Sequence, residues 1–456
     1  MNMTGRIMKS IFAVACSLVA TISRADFTID NIKPGDTVRY PLVILKGSAE
    51  GSEMAVGTSW KDAVRFPVID HHFVAVVQLK PGKNMLLLHA GSETMKFRLD
   101  YSPMTTPYKL FAVYVTALDQ PNNYYTTNPK DRFDIRDKMD LEFKLMQSVC
   151  AEQMHQAGFG RKTFGLEFDK SGKVEIHFVK SPKSAEQLRS MDDQAIYSHI
   201  DELLEKEFPS PYVKWCGLLG FASFDAATKK AVGHLALGGG RQALFGAASM
   251  QWWPASIKEL PKALVNTTAI DPQVTFEDSG NRGTVWANVW TAYGACLHEV
   301  GHTFDLPHSS DPFSIMSRGF DFFGRQLMPM EPPVKSGPWT SFKATELPKW
   351  DAAFAAQLNL SHWFQPELTV ATDLAKPEVS LSNGLLTVNA PAGIAYVGVH
   401  NDALADWFSV YKPTEAPKTL KLSVGEIRQQ VHSDNAVLTL VVIDGNGNRT
   451  SFEIKP

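Results

Sequence analysis

The sequence has few cysteines, no long apolar run beyond its N-terminus and little net charge. Only four of its 456 residues are cysteine. No stretch after residue 25 reaches the roughly 18 apolar residues that a transmembrane helix needs. Lys and Arg total 45 against 48 Asp and Glu, which gives a net charge of −3. These features predict no transmembrane anchor and no nucleic-acid binding through a basic surface.

The composition is that of a folded protein with more than one domain. Hydrophobic residues make up 44% and charged residues 20% of the chain, which excludes wholesale disorder and fibrous structure. At about 100–200 residues per domain, the length predicts two to four domains with ample chain for buried cores.

The N-terminus has the organisation of a secretory signal peptide. Arg6 and Lys9 form a positively charged start, and an apolar stretch of about 13 residues follows at 10–22. Ser23 and Ala25 place small residues before a predicted cleavage site after residue 25. Because the apolar stretch is too short to cross a bilayer core of about 30 Å, we expect residues 1–25 to be removed and the protein to be secreted or periplasmic.

Loss of this segment changes the charge and the cysteine count. Removing its three basic residues together with Cys16 changes the net charge from −3 to −6. Cys150, Cys216 and Cys296 remain, so at most one internal disulfide can form, and the sequence leaves open whether one does. A chain of this length does not need disulfides, so its stability is expected to come mainly from buried cores.

The two ends of the mature chain are predicted to be β-sandwich domains, at residues 26–104 and 366–456. Short apolar runs lie at 38–45, 73–79 and 84–89 in the first and at 385–388, 394–399 and 437–443 in the second. Turn sequences separate these runs, and Asp444-Gly-Asn-Gly is a strong hairpin signal. Such modules suggest a possible glycan or surface ligand.

Residues 105–365 are predicted to alternate strands and helices. We expect strands at 108–116 and 174–179 and a long helix at 133–157 that Gly158 ends. A second helix is expected at 184–207, where Ser184 and Gln187 have the spacing of a capping box. Residues 235–237 and 243–250 are expected to form strand and loop at a sheet edge. The whole chain is therefore assigned to the α+β class.

One segment has the spacing of a metal site. His298 and His302 are four residues apart, so on a helix both imidazoles lie on one face and can reach one ion. An apolar stripe upstream, which includes Val285 and Val289, supports a helix here. Glu299 follows His298 directly and can reach water at the ion.

His308 is the predicted third ligand, and it requires the helix to break. On a continuous helix it would be rotated by about 240° from His302 and lie about 9 Å further along. Pro307 disfavours helical conformation at the preceding residue. Asp305 stands where the chain must turn, and Asp is one of the few residues other than Gly that tolerate the left-handed region. Asp305 is also placed to hydrogen-bond a ligand imidazole. Three imidazoles predict a zinc ion with one open position.

The spacing His298-Glu-x-x-His302-x-x-Asp305-x-x-His308 resembles the motif of the metzincin metallopeptidases, with Asp305 where that family usually has Gly. Met316 follows His308 by eight residues, a distance similar to that in matrix metalloproteinases. The resemblance implies a zincin-like fold with a mixed sheet and an active-site helix. It also implies that Met316 forms a Met-turn beneath the metal without touching substrate.

The flanking sequence is more similar to a family of zinc metallopeptidases known largely from sequence. That resemblance covers about residues 26–365 and rests on four short segments: 235–240, 253–254, 302–304 and 318–321. Arg318 also occupies the position of the tyrosine ligand of astacin-type metzincins, so that ligand is not expected here.

These observations predict an exported zinc metalloendopeptidase that acts on a protein or peptide substrate. Glu299 would act as general base toward a water molecule and then protonate the leaving amine. One alternative is a zinc-containing protein that binds glycans or surfaces through its β-sandwich modules without proteolysis. Another is hydrolysis of a non-peptide amide, since the motif specifies the zinc chemistry but not the acyl group.

Overall fold

The computed structural model describes residues 27–334, 337–367, 375–401, 404–433 and 435–456. The predicted signal peptide lies outside these ranges, as does Cys16. Within them the chain is a mixed α+β protein with five sheets. None of the helices in these ranges combines the length and the apolar character that a bilayer crossing needs.

The strands and helices follow in chain order. The strands are β1 (Thr37–Val38), β2 (Leu42–Ser48), β3 (Glu53–Gly57), β4 (Val64–Ile69), β5 (His72–Gln78), β6 (Gly82–Ala90), β7 (Glu93–Tyr101), β8 (Lys109–Thr116), β9 (Ile176–Lys180), β10 (Val213–Leu219), β11 (Ser223–Asp225), β12 (Lys230–Val232), β13 (Ala236–Gly239), β14 (Gln242–Gly246), β15 (Glu378–Ser382), β16 (Leu385–Asn389), β17 (Ile394–Asn401), β18 (Leu404–Val410), β19 (Thr419–Ser423), β20 (Leu438–Asp444) and β21 (Arg449–Ile454). The α-helices are α1 (Ile135–Gln156), α2 (Ala185–Arg189), α3 (Asp193–Glu207), α4 (Leu260–Leu264), α5 (Val285–Thr303), α6 (Ala352–Leu360) and α7 (Val424–Gln430). The 3₁₀-helices are Ala247–Trp252, Arg318–Gln326, Ala344–Glu346 and His362–Phe364.

The N-terminal strands form one sheet in the order β1-β7-β6-β3-β4-β5-β2. The three apolar runs expected from the sequence correspond to β2, β5 and β6, whereas β1, β3, β4 and β7 were not expected. Strands β1 and β3 are short, and most side chains of β4 and β7 are exposed or half-buried, so none of the four has a long apolar run.

The central sheet has the order β13-β14-β10-β8-β9. Its pairings are parallel except at one edge, where β13 runs antiparallel to β14. Within residues 243–250, expected to form strand and loop, strand β14 ends at Gly246 and a 3₁₀-helix begins at Ala247. Strand β13, at the antiparallel edge, lies against α5, the helix that carries the histidine motif.

The long helix α1 ends as expected, with Gly158 in the left-handed region at φ = 87°. The helix expected over 184–207 is wrong in one respect, since it is two helices. Ser184 and Gln187 form the capping box of α2, but that helix stops after Arg189, and Asp192 caps a second helix, α3. The Asp192 side chain accepts a hydrogen bond from the Ala195 amide, which competes with helix continuation at this point.

The C-terminal strands form a three-stranded sheet, β15-β16-β19, and a four-stranded sheet, β18-β17-β20-β21. Apolar side chains from both sheets share one core, which includes Val388, Val399 and Leu440. The Asp444 turn joins β20 to β21, and the Asp444 carboxylate accepts amide hydrogen bonds from Asn446 and Asn448.

One hydrophobic core extends from the N-terminal sheet into the central region. It contains side chains of β2 and β6 together with α1 and α5. Polar contacts cross the same interface: Asn31 donates to Glu152 at 3.1 Å, and Lys46 donates to Gln326 at 2.6 Å. The domain boundary near residue 104 therefore stays a prediction, since the two regions are tightly packed on each other.

Candidate metal centre

Helix α5 supplies two of the predicted ligands from a deeply buried position. Almost every residue of this helix is buried, which lets backbone and side chains of neighbouring segments pack directly on it. A Cβ atom on Gly294 would lie 2.0 Å from the Phe320 carbonyl oxygen, and one on Gly301 would lie 2.4 Å from Met316 Sδ. Glycine at these two positions therefore lets the following loop fold closely over the helix.

The chain leaves α5 at the position that the sequence indicated. Asp305 adopts φ = 63°, in the left-handed region. Its carboxylate does not contact a ligand imidazole. It faces Arg449 of β21, with Oδ2 3.8 Å from Nη1, and the Asp305 carbonyl oxygen accepts a hydrogen bond from Nη2 at 3.2 Å. The turn thus reverses the chain and brings His308 back to the helix.

The three histidines come together in space. The Nε2 atoms of His298 and His302 are 3.1 Å apart. The His308 ring centroid lies 5.3 Å from that of His298 and 4.7 Å from that of His302. One nitrogen from each ring lies within 4.8 Å of the others, and no second group of His, Cys, Asp or Glu in the described ranges meets this condition.

Backbone carbonyls orient two of the rings. His298 Nδ1 donates to the Ile315 carbonyl oxygen at 2.7 Å, and His302 Nδ1 donates to the Leu306 carbonyl oxygen at 2.8 Å. Since each Nδ1 carries the proton, each Nε2 has a free lone pair, which is the arrangement that metal-binding histidines commonly have.

The donor set fits a zinc ion. Burial lowers the pKa of His298 to about 3, and it also lowers the pKa of His302. Both rings are therefore neutral at physiological pH, as a ligand must be. Zinc takes imidazole nitrogens readily, and three of them leave one position open.

Glu299 lies next to His298 on α5 and is only 7% exposed. Burial raises the pKa of its carboxyl group to about 8, and a bound dication would oppose that shift by stabilising the carboxylate. The edge strand β13 lies against the backbone of Glu299. The approach is so close that a Cβ atom on Gly238 would lie 2.2 Å from the Glu299 carbonyl oxygen. The predicted base is thus adjacent to an edge strand.

Met316 is fully buried and lies against Gly301, which stands between His298 and His302 on α5. The loop around it is held by Asp351, a residue that the sequence analysis missed. One Asp351 oxygen accepts from the Ser309 hydroxyl at 2.9 Å, and the other accepts from the Ser314 hydroxyl. The Ser309 amide in turn donates to the Met316 carbonyl oxygen at 2.8 Å. Asp351 thus ties the segment after His308 to the Met316 loop.

Two further neighbours of the site lie on the 3₁₀-helix Arg318–Gln326. The Phe320 ring meets the His298 ring edge-on, with centroids 5.2 Å apart. The Arg318 guanidinium lies over Phe320 and forms an ion pair with Asp321 at 2.7 Å. Phe320 lies in the 318–321 segment that carries part of the family resemblance. Its contact with His298 and the roles of the Ile315 and Leu306 carbonyls could not be predicted, since they depend on where the chain returns.

The three cysteines of the described chain are free and buried, so none is in a disulfide. Cys296 lies on α5, two residues before His298, but the metal group contains no cysteine. Its thiol faces Glu142 of α1, and burial raises its pKa well above the ordinary value. Cys296 is therefore part of the core between the two helices.

Comparison with solved structures gives only weak likenesses. Crystal structures of OgpA from Akkermansia muciniphila, one of them in complex with an O-glycopeptide substrate, align with 76% of this chain and 92% of that chain at 17% identity and a TM-score of 0.45. Archaemetzincin from Methanopyrus kandleri aligns with 48% of this chain and 96% of that chain at 14% identity and a TM-score of 0.21.

Sequence relatives give a clearer result. A "putative zinc metalloproteinase" of Schizosaccharomyces pombe is 26% identical over 338 residues, which are 66% of this chain and 54% of the relative. A "putative zinc metalloproteinase" of Saccharomyces cerevisiae is 22% identical over 452 residues, which are 86% of this chain and 64% of the relative. The chain thus spans about half to two thirds of these relatives. The model of a family described as "Putative peptidase family" (Metallopep) matches residues 26–393, most of the chain. The protein is therefore a member of this metallopeptidase family.

Proposed function

We propose that this protein is an exported zinc-dependent endopeptidase. The observation that carries the proposal is the convergence of His298, His302 and His308 on one point, directly beside Glu299 on the same helix. Membership of the metallopeptidase family supports it. Export rests on the sequence of residues 1–25, which have the organisation of a signal peptide.

The three histidines would hold the ion through one ring nitrogen each, with the carbonyls of Ile315 and Leu306 fixing two of the rings. When bound, zinc lowers the pKa of water and polarises a carbonyl oxygen. Glu299 takes a proton from the attacking water at a carboxylate oxygen. As the water oxygen bonds to the carbonyl carbon and the C–N bond breaks, Glu299 passes that proton to the leaving nitrogen. No covalent link to the enzyme is needed.

The edge strand β13 is the proposed docking site for the substrate backbone. Among the described strands it pairs only with β14, so its other edge has backbone groups available to an extended peptide. Gly238 brings this strand into contact with the Glu299 backbone, so a peptide added there would pass close to the base.

We further propose a metzincin-type domain at residues 105–365, flanked by β-sandwich domains at 26–104 and 366–456. A sheet with one antiparallel edge strand supports the central assignment, together with a buried motif helix and a methionine loop beneath it. Met316 would support the metal site from below, and Asp305 would form the turn that returns His308.

The test compares the mature chain with Glu299→Gln, using zinc quantification and proteomic profiling of cleaved peptide bonds. We expect one zinc per chain in both proteins and a loss of about 10²–10⁴ in cleavage rate for the variant, since general acid–base catalysis contributes that much. Glu378→Gln, at an exposed position on β15, is the matched control and should change neither quantity. Full activity in Glu299→Gln, or a wild-type chain that binds no zinc, would refute the proposal.

A further inference from the structure

A row of four side chains crosses the outer face of the N-terminal sheet. Ala55 on β3 pairs with Arg65 on β4 and with His89 on β6, and His89 pairs with Thr94 on β7. The residues on either side of Ala55 are buried in the core. Because side chains alternate along a strand, the row faces away from that core.

Trp60 stands over this row on the loop between β3 and β4. It is 51% exposed, whereas Trp215, Trp286 and Trp290 are almost fully buried. An indole ring left half in water forfeits part of the burial energy of about 25 cal/mol per Å². The loop nonetheless holds a defined shape, since the Ser59 hydroxyl donates to Asp62 at 2.8 Å. The ring is thus presented to solvent by an ordered turn.

Trp60 and the row line an open cavity of about 430 Å³, a volume in the range of small-molecule sites. The residues that line it are Ala55, Trp60, Ala63, Arg65, His89 and Thr94. The Ala55 methyl group forms a notch between two longer neighbours, and the His89 ring lies edge-on to Trp60 with centroids 6.3 Å apart. One wall is therefore an aromatic ring, and the rim is polar.

The rim offers both hydrogen-bond donors and acceptors. His89 Nδ1 donates to the Glu93 carbonyl oxygen at 2.9 Å and lies 3.2 Å from the Thr94 hydroxyl oxygen, so Nε2 is the ring nitrogen that can accept from a ligand. Thr94 carries an exposed hydroxyl group, which can donate or accept. Arg65 offers guanidinium donors, and Glu53, 3.3 Å away, balances its charge. The cavity therefore favours a neutral ligand with several hydroxyl groups.

We propose that this cavity binds one pyranose unit of a glycan. A pyranose has a face of C–H groups, whose partial positive charge suits the negative face of an indole, and a rim of hydroxyl groups that both donate and accept. An extended peptide fits less well, because the cavity lies over β3, whose ladder groups already pair with β4 and β6. The site is built without any zinc ligand, so it would anchor a glycan independently of hydrolysis.

The test is saturation-transfer NMR on the zinc-loaded mature chain with methyl pyranosides of glucose, galactose, mannose, N-acetylglucosamine and N-acetylgalactosamine, and with tetrasaccharides that contain them. We expect transfer to the ring C–H protons of one or more of these sugars. Trp60→Ala should weaken binding by about tenfold or more, as for a central aromatic anchor. His89→Ala should weaken it less, because the ring platform remains.

Met85→Ala is the matched control. Met85 lies on the same strand as His89, is 50% exposed and is not part of the cavity, so binding should persist. Cleavage of a short unglycosylated peptide should be unchanged in Trp60→Ala, which separates this proposal from the peptidase function. The proposal is overturned if no sugar receives saturation from the wild-type chain, or if Trp60→Ala binds as well as Met85→Ala.

Discussion

Replacing Glu142 by Gln should remove a pH-dependent loss of stability beneath the active-site helix. Glu142 lies on α1 and is completely buried against Tyr293 and Cys296 of α5. Neither of its carboxylate oxygens has a hydrogen-bond partner of normal geometry within the described chain. Burial raises the pKa of this carboxyl group from the ordinary value of 4.5 to about 8.

The sign of the effect follows from proton binding. Between pH 4.5 and about 8, the folded protein holds a proton on Glu142 that the unfolded chain has released. The stability that Glu142 contributes is therefore fully present below pH 4.5 and is lost as the pH rises toward 8. Each pH unit costs about 1.4 kcal/mol, so the loss at pH 7 is about 3 kcal/mol. That loss is a large part of the free energy of unfolding of a typical folded domain, which is about 5–15 kcal/mol.

The assay is denaturant unfolding of wild type and Glu142→Gln at saturating zinc, repeated across this pH interval. We expect similar stabilities near pH 4.5 and an advantage for Glu142→Gln of about 3 kcal/mol at pH 7. Because the histidine ligands titrate alike in both proteins, the difference between them isolates Glu142. Glu378→Gln, at an exposed position, should follow the wild-type curve. Parallel curves for wild type and Glu142→Gln would refute the reasoning, since they would mean that Glu142 is ionised in the folded protein.

Two other substitutions test how the site is positioned. Gly238→Ala would place a Cβ atom 2.2 Å from the Glu299 carbonyl oxygen, so β13 must shift. A displacement of about 1 Å lowers an enzymatic rate by up to about 10²-fold. We therefore expect kcat/KM for a peptide substrate to fall while the amount of bound zinc stays the same. An unchanged kcat/KM would contradict the role of β13. Asp351→Ala leaves the hydroxyls of Ser309 and Ser314 without their acceptor, so the loop after His308 loses its support. Zinc affinity should then fall by about 10- to 100-fold, as is typical when a residue that orients metal ligands is removed. Asp351→Asn should recover part of that affinity in a competition titration with a chelating dye, and equal affinities in all three proteins would exclude the positioning role.

Local sequence patterns predicted much of the central region, with errors where two local preferences compete. The apolar spacing and the glycine after it predicted the ends of α1 to within two residues, and an apolar stripe predicted that the motif segment α5 is helical. The single helix expected over 184–207 failed because Asp192 caps a new helix in the middle of an apolar pattern that continues through both. The unexpected strands of the N-terminal sheet are either short, as β1 and β3 are, or mix polar and apolar residues, as β4 and β7 do, so pairing with neighbours counts for more than local pattern.

By itself, the sequence determined the chemistry of the candidate site. Histidines four residues apart share a helix face whatever surrounds them, and Asp305 next to Leu306-Pro307 requires the chain to turn before His308. Only the tertiary structure decided which atoms orient those histidines, which strand lies beside Glu299, and that Asp351 holds the loop after His308. The reason is physical: helix spacing and turn preferences act over a few residues, whereas backbone carbonyl partners and edge strands depend on the path of chain segments far apart in sequence.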